Sequence, residues 1–265
     1  HIRQLPPTSG NIFVYSEDSD ICMLALLHPH HIIVMRQRQT GGGFQEETFP
    51  RVIKDFPDYE LIFMDIIKEY MELDFNPDDF HALAQDFVVL GCLTGNDYIP
   101  GLPFVNFKSM SDPIINSYKS VAANVSSHLI VNGSINRQFL IEFLTAISAK
   151  METMSAEPFE AFFEPTEELL RDLGRNYVTM LEFVPKLYSH GTPSWTYSFR
   201  YPILPIIPVL IPYLDVESEE YSLGEPIPPY LQTLYGPPSA LLYAPPQIAA
   251  LMTPDSPVGV YFPSD

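Results

Sequence analysis

The chain has 265 residues, 46% of them hydrophobic, which is enough for one large core or two domains and excludes a disordered protein. Lys and Arg number 14 against 33 Asp and Glu, and the resulting net charge of −19 argues against a free-standing nucleic-acid binder. The longest apolar stretch, residues 202–214, contains four prolines, so it does not predict a membrane-spanning helix. Cys22 and Cys92 lie in apolar runs and are predicted to be reduced thiols of an intracellular protein.

The first predicted element is a strand that leads into two acidic residues. Residues 12–15 form a continuous apolar, β-favouring run, which predicts a strand covered on both faces. Asp18 and Asp20 follow at a spacing of two, just beyond the carboxyl end of that strand, where open α/β sheets bind ligands. One interpretation is half of a divalent-metal site, because paired carboxylates repel each other unless a cation intervenes. The other is a solvated loop in which residues 16–20 cap a helix over residues 21–27.

A strand over residues 32–35 and a helix over residues 61–75 come next. Ile62, Ile66, Tyr70 and Leu73 recur at helical spacing in the second of these segments. Asn76 and Pro77 predict the capped start of a following helix. Asp78 and Asp79 would stabilise the N-terminus of that helix electrostatically, so they are interpreted as structural.

A second acidic corner is predicted where this following helix ends. Residues 86–94 form an apolar helix, Gly95 suits a left-handed C-terminal cap, and Pro100 prevents the helix from continuing. Asp97 would then lie on a rigid corner that can direct its carboxylate. Asp86, inside the helix, has two open interpretations: it supports a metal site from behind, or it pairs with a nearby cation.

The second half of the chain predicts helices and then irregular structure. Helical patterns cover residues 113–130, 134–151 and 166–188, with Ser134 as the N-cap of the second helix. After Trp195 proline dominates, with tyrosines scattered through the segment. This segment is either a partner-binding tail or a strap that wraps around the folded body, and we favour the strap.

Four blocks of sequence, in the right order, resemble the XRN family of 5′→3′ exoribonucleases. They are residues 14–26 with the Asp-x-Asp pair, residues 61–75, residues 86–103 with Gly-Asn-Asp, and residues 190–197 followed by Arg200-Tyr201-Pro202. The resemblance implies an α/β fold: a partial PIN or flap-nuclease-like α/β core over residues 1–111. A mainly helical domain with a Pro-rich, irregular C-terminal segment would follow over residues 112–265.

The resemblance also implies a chemistry and the residues that perform it. Asp18, Asp20 and Asp97 would be catalytic metal ligands for Mg²⁺ or Mn²⁺, since hard cations take carboxylate oxygens and two such ions about 3.5–4 Å apart serve phosphodiester hydrolysis. Trp195 or Tyr197 would stack on bases of single-stranded RNA bearing a 5′-monophosphate. A buried aromatic that anchors the Pro-rich segment is the structural alternative. The family pattern commonly has tryptophan where Tyr197 stands.

The expected function is therefore a part of an exoribonuclease, a hydrolase that acts in the nucleus or the cytoplasm. Three carboxylates are fewer than a two-metal site normally needs, and in XRN enzymes an N-terminal stretch supplies the remainder together with basic residues for the 5′-phosphate. Nothing before His1 is present to do so, and we expect the chain alone to be inactive or very weak. The alternatives are a flap-type DNA nuclease and a non-catalytic acidic scaffold derived from such a nuclease.

Overall fold

A computed structural model describes residues 10–37, 59–105, 107–151, 157–229 and 245–251, with a few further positions near the two ends. None of the helices in these parts is long and apolar enough to cross a membrane. The structure is mixed α/β, as predicted from the sequence, with a small sheet and a larger set of helices.

The chain divides into two compact units, which are described separately. One contains His1–Thr192 and Ser198–Glu220, and the other contains Pro193–Tyr197 and Tyr221–Asp265. The first unit therefore includes the sheet and the long helices together. The boundary between a nuclease core and a helical domain after residue 111 stays a prediction.

The sheet of the first unit has three strands. β1 (Ile12–Tyr15) is followed by helix α1 (Asp20–Leu26), which leads to the central strand β2 (Ile32–Gln37) parallel to β1. β3 (Tyr59–Phe63) pairs with β2 in the antiparallel sense. Residues 32–34 of β2, the central strand of the three, are buried.

The predicted strand β1 is present, but the expectation that both its faces are covered is wrong. Phe13 and Tyr15 are 60% and 56% exposed, and they alternate with the less exposed Ile12 and Val14. The strand lies at the edge of the three described strands. Alternation of this kind is typical of a strand packed on one face only.

The exposed side chains of β1 belong to one face of the sheet. In the strand register Phe13 pairs with Ile33, which pairs with Phe63, so these three side chains share a face. Half-exposed residues of this face are Phe13, Tyr15, Tyr59, Leu61 and Phe63. We call this set the apolar sheet face. The opposite face lines a cavity of about 320 Å³ with α1, to which Val14, Ile32 and Leu24 contribute.

The predicted helix over residues 61–75 is shorter than expected. Its first three residues belong to β3, and helix α2 (Met64–Phe75) begins directly after them. Its periodic apolar residues Ile66, Tyr70 and Leu73 are exposed, Leu73 at 81%, whereas Met64 and Met71 are buried. The periodicity predicted the helix correctly, but not which residues it buries against the described part of the protein.

Helix α3 (Phe80–Cys92) crosses the core, and its start corrects a predicted cap. Asp79 is the N-cap, since its carboxylate accepts hydrogen bonds from the amides of His81 and Ala82 at 2.9 and 3.3 Å. Asn76 instead ends α2 in the left-handed conformation, with φ of 44°. The structural interpretation of Asp79 is confirmed, but Asn76 does not begin the helix.

The remaining elements of the first unit are mainly helical. They are α4 (Phe107–Val125), β4 (Ile130–Val131), β5 (Ser134–Ile135), α5 (Arg137–Ser148), α6 (Glu157–Glu160), α7 (Glu167–His190), α8 (Ile207–Leu210) and a 3₁₀ turn (Ile211–Tyr213). Helix α7 is the longest of them, and Thr166 caps its N-terminus through the amide of Leu169 at 3.3 Å.

A short hairpin replaces part of the helical structure predicted around residue 130. β4 and β5 pair across Asn132 and Gly133, both of which have positive φ, as a tight two-residue turn requires. Ser134 therefore lies in a strand. Asn136 caps α5 instead, accepting a hydrogen bond from the amide of Phe139 at 3.2 Å.

The second unit contains little regular structure in its described residues. A short helix, α9 (Pro246–Leu251), is its one described α-helix that spans a full turn. The amide of Trp195 donates to the carbonyl of Leu223 at 2.7 Å, which joins the two sequence segments of the unit. The idea that this segment wraps around the folded body stays a prediction.

Candidate functional site

The loop between β1 and α1 is held by its own side chains. Ser16 Oγ accepts a hydrogen bond from the amide of Asp18 at 3.1 Å, and Asp18 Oδ1 accepts one from the amide of Asp20 at 2.9 Å. Helix α1 begins at Asp20, and the side chain of Asp18 satisfies the amide of that first residue. The N-cap residue Ser19 makes no side-chain capping bond, so the capping interpretation holds for Asp18 alone. These bonds engage one oxygen of Asp18.

The carboxylate of Asp20 contacts a distant helix. Tyr188, near the end of α7, donates its hydroxyl to Asp20 Oδ2 at 2.5 Å. Tyr188 is buried, and burial followed by the bond to Asp20 raises the pKa of its hydroxyl well above the usual range. The hydroxyl therefore keeps its proton and acts as a donor to Asp20 at every physiological pH.

Asp97 lies on the rigid corner that the sequence predicted. Gly95 has a φ of +91°, and a Cβ at this position would lie 2.7 Å from the amide nitrogen of Gly101. The side chain of Asn96 accepts hydrogen bonds from the amides of Tyr98 and Ile99 at 2.9 and 3.0 Å. These contacts fix the backbone on both sides of Asp97, whose side chain is exposed.

Tyr98 links the three acidic residues. The pKa of its hydroxyl is raised by partial burial and then by the negative charges of Asp97, Asp20 and Asp18. The ring of Tyr98 also packs edge-on against that of Tyr188, with centroids 6.3 Å apart. Carboxylates nearly 80 positions apart in sequence thus act on the same tyrosine.

The thiol of Cys92 contacts the base of this corner. Its Sγ accepts a hydrogen bond from the side-chain amide of Asn96 at 3.5 Å. Burial, with a smaller contribution from the charge of Asp20, raises the pKa of this thiol to about 12. Cys92 is a free, buried cysteine, as expected, and it stays protonated beside the acidic residues.

The chemistry of these residues fits a hard divalent cation, since all three candidates offer carboxylate oxygens. Across the parts of the chain that the structure describes, however, no three His, Cys, Asp or Glu side chains are grouped closely enough to hold a metal ion. The roles of Asp18, Asp20 and Asp97 as ligands, and of Mg²⁺ or Mn²⁺ as cofactor, stay predictions.

Asp86 belongs to the structural interior. It is fully buried, its Oδ1 accepts from the amide of Ile130 at 2.7 Å, and its Oδ2 accepts from Tyr118, His128 and the amide of Leu129. Of the two interpretations left open by the sequence, side-chain pairing is the one that the structure contains, since His128 contacts Asp86 and is a cation when its imidazole is protonated. The carboxylate joins α3 to α4 and β4.

The tyrosines that contact the acidic loop were not singled out by sequence analysis. Tyr98 follows Asp97 directly, so its neighbourhood could have been suspected. Nothing in the sequence around Tyr188 indicates a contact with Asp20, which is 168 residues away. The residue resembles any apolar position near the end of a helix.

The aromatic candidates for RNA contact lie in the second unit. The side chain of Trp195 is 49% exposed, so the alternative of a buried anchor does not describe it. Tyr197 packs its ring on Tyr221, with centroids 5.0 Å apart at an angle of 32°. Ser194 Oγ accepts from the amides of Thr196 and Tyr197 and holds this turn. A role for Trp195 or Tyr197 in RNA binding stays a prediction.

Comparison with known proteins identifies several 5′→3′ exoribonucleases as relatives. The chain is 25% identical to 5′-3′ exoribonuclease 1 of Saccharomyces cerevisiae over 145 residues, which is 51% of this chain and 9% of that protein. It is 22% identical to human 5′-3′ exoribonuclease 1 over 175 residues, covering 62% and 10% of the two chains. It is 35% identical to 5′-3′ exoribonuclease 2 of Arabidopsis thaliana over 106 residues, which is 38% of this chain and 10% of that protein.

These similarities confirm the resemblance on which the sequence analysis depended. No protein-family model matches the sequence. The chain spans only about a tenth of the length of the curated relatives it matches.

Proposed function

We propose that this chain, which is similar to XRN 5′→3′ exoribonucleases over 38–62% of its length, is part of the catalytic region of such an enzyme. Its substrate would be single-stranded RNA with a 5′-monophosphate, and its products mononucleotides. The enzyme would act inside the cell, in the nucleus or the cytoplasm. The observation that carries the proposal is the similarity to 5′→3′ exoribonucleases of several organisms, and the hydrogen-bonded turns that hold Asp18, Asp20 and Asp97 support it.

Asp18, Asp20 and Asp97 would hold Mg²⁺ or Mn²⁺ in this enzyme. Bound there, the cation would make a water molecule nucleophilic and stabilise charge on the phosphoryl oxygens. The chain itself contributes the two hydrogen-bonded turns that position these residues. They are the Asp18–Asp20 turn at the start of α1 and the Gly95–Asn96 corner before Asp97. Trp195 would contribute a partly exposed aromatic surface for a base of the RNA.

The remaining ligands and the basic residues for the 5′-phosphate would come from the rest of the enzyme. The chain corresponds to about a tenth of its relatives, and its own net charge is −19, so cations for phosphate must come from elsewhere. The apolar sheet face supports this arrangement, since sheets in α/β proteins are normally covered on both faces.

The test is reconstitution. The chain is combined with the preceding catalytic portion of a matched relative and given 5′-monophosphate RNA with and without Mg²⁺. We expect Mg²⁺-dependent release of mononucleotides, which Asp18→Asn and Asp97→Asn abolish and which Asp112→Asn, an exposed aspartate on α4, leaves unchanged. Absence of such release from a folded complex would refute the proposal. Parallel reactions on DNA distinguish a flap-type DNA nuclease, but the relatives, all named as exoribonucleases, favour RNA.

A second candidate function is a non-catalytic acidic interaction module derived from such a nuclease. The net charge of −19 favours it, as does the lack of a closely grouped set of three metal-binding side chains among the described residues. Calorimetric titration with Mn²⁺ separates the two functions. Mn²⁺ binding that neither Asp18→Asn nor Asp97→Asn changes would support the non-catalytic module.

A further inference from the structure

We propose that Tyr188 is a positioning residue for Asp20, whose carboxylate it holds in a single orientation for binding a divalent cation. This inference rests on the proposed function, because it assumes that Asp20 is a metal ligand. It adds Tyr188, in the last turn of α7, to a site otherwise formed by the loop before α1 and the corner after α3.

Asp20 needs an external contact to be held in place. It is the first residue of a seven-residue helix, and the preceding Ser19 makes no side-chain capping bond. Its backbone is fixed through the amide bond to Asp18 Oδ1 at 2.9 Å. That bond leaves the rotamer of the Asp20 side chain undetermined, since aspartate side chains populate several rotamers at low energetic cost.

The hydroxyl of Tyr188 supplies this contact. It donates to Asp20 Oδ2 at 2.5 Å, which engages one carboxylate oxygen and restricts the rotamers of the side chain. A charge-assisted hydrogen bond of this kind is among the strong ones in proteins. Ligating carboxylates are commonly oriented by such outer partners, whose loss weakens metal affinity by about 10- to 100-fold.

Tyr188 is itself rigid. Its side chain is only 5% exposed, and its ring packs edge-on against the ring of Tyr98. It lies in the last turn of a 24-residue helix that ends at His190, after which Gly191 takes a φ of 106°. A donor on such an element loses little further freedom when it binds Asp20, so it suits a positioning role.

Helix α7 also provides a matched control. Tyr177 is fully buried on the same helix, and within the described structure its hydroxyl has no hydrogen-bond partner. Tyr177→Phe and Tyr188→Phe therefore make the same chemical change, the loss of one buried phenolic oxygen. Only the second change removes a bond to Asp20.

The experiment measures Mn²⁺ binding by calorimetry to the complex of the 265-residue chain with the preceding catalytic portion of a matched relative. The complex is made with the wild-type chain and with its variants Asp20→Asn, Tyr188→Phe and Tyr177→Phe. Circular dichroism and thermal unfolding establish that each variant is folded at the temperature of the titration. We expect Tyr188→Phe to weaken Mn²⁺ affinity by about 10-fold, Asp20→Asn to weaken it at least as much, and Tyr177→Phe to leave it unchanged. A purely structural role for Tyr188 would lower the unfolding temperature without changing the affinity of the folded protein.

The other outcomes separate the two proposals. If Asp20→Asn weakens binding but Tyr188→Phe does not, the positioning role is refuted and the metal site stands. If both Tyr→Phe variants weaken binding equally, the effect is not specific to Asp20 and the positioning role is again refuted. If the wild-type complex binds no Mn²⁺, or if Asp20→Asn has no effect on binding, Asp20 is not a metal ligand and the positioning role is refuted as well.

Discussion

Two regions of the first unit differ in whether their polar and apolar groups are covered inside the protein. They are the sheet region, with β1–β3, α1 and α2, and the helical region, with α3–α8, β4 and β5. In the helical region, the buried acids have internal partners: Asp86 accepts four hydrogen bonds, and Glu182 Oε1 accepts from Ile135 and Arg137. In the sheet region, the apolar sheet face and the outer side of α2 are half-exposed or more. Asp18, in the loop after β1, and Asp97, on the corner after α3, are both exposed.

The comparison distinguishes acidic residues that stabilise the fold through internal hydrogen bonds from acidic residues whose carboxylates are exposed and can bind a ligand. Asp86 and Asp97 are only 11 positions apart, yet one is enclosed by donors and the other extends from a rigid corner. The buried acids of the helical region have hydrogen-bond partners, whereas the sheet region presents apolar surface, and Asp18 and Asp97 present carboxylates to other molecules. Four sets of substitutions test this contrast.

The largest effect is expected from Asp86→Ala. It would leave the hydroxyl of Tyr118, the ring of His128 and the amides of Leu129 and Ile130 without their acceptor in the interior. We expect a loss of about 3–5 kcal/mol in the free energy of unfolding, measured in urea.

Asp97→Asn is the control for this substitution. It changes an exposed carboxylate and should alter the free energy of unfolding by less than about 0.5 kcal/mol. Comparable losses for the two variants would contradict the division between structural and available acids.

The next effect is expected from Gly174→Ala in the middle of α7. An added Cβ would lie 2.2 Å from the carbonyl oxygen of Tyr213, which is backbone and cannot easily move. We expect destabilisation of about 1–3 kcal/mol by thermal or urea unfolding, despite the higher helix propensity of alanine.

Gly91→Ala in α3 is the matched change. There the added Cβ would lie 3.2 Å from the terminal methyl group of Met23, a flexible side-chain end on α1. We expect this variant to be neutral or slightly more stable. A loss as large as that of Gly174→Ala would show that the contact between α3 and α1 is as tightly packed as the helical interior.

A smaller, pH-dependent effect is expected at His128. The hydrogen bond to Asp86 is the main cause that raises the pKa of this imidazole in the folded protein. The stabilisation is therefore complete below the pKa of histidine in the unfolded chain, and it is lost as pH rises through the folded value. His128→Gln should cost more stability at about pH 5 than at about pH 9. Urea unfolding at both values measures this, and an equal cost at both would show that the charge on His128 contributes nothing.

The smallest effect on stability is expected on the apolar sheet face. Phe13→Ser combined with Leu61→Ser alters half-exposed side chains, so the free energy of unfolding should change by no more than about 1 kcal/mol. Binding of a hydrophobic dye and self-association in sedimentation should both decrease, because this face is the exposed one. Val34→Ala, at a buried position of β2, should cost clearly more stability and leave dye binding to the folded protein unchanged. The reverse pattern would mean that the face is covered in solution.

Sequence reasoning succeeded where a structure follows from neighbouring residues. The strand before Asp18, the left-handed Gly95 corner and the helix predicted over residues 166–188 depend on side chains and backbone within a few positions of one another. The cap assignments at Asn76 and Ser134 were wrong because several residues in a row could cap a helix, and tertiary packing selects which of them does.

Other features were decided by the tertiary structure alone. The apolar periodicity of α2 is a local pattern, but which side of the helix is covered depends on what packs there. The contact between Asp20 and Tyr188 joins positions 168 residues apart, and it exists because α7 brings its last turn to the start of α1. The sequence by itself determined the candidate acids, since short-range rules govern strands, turns and caps. Their partners were decided by the folded chain, because contacts over long sequence separations depend on how whole helices pack.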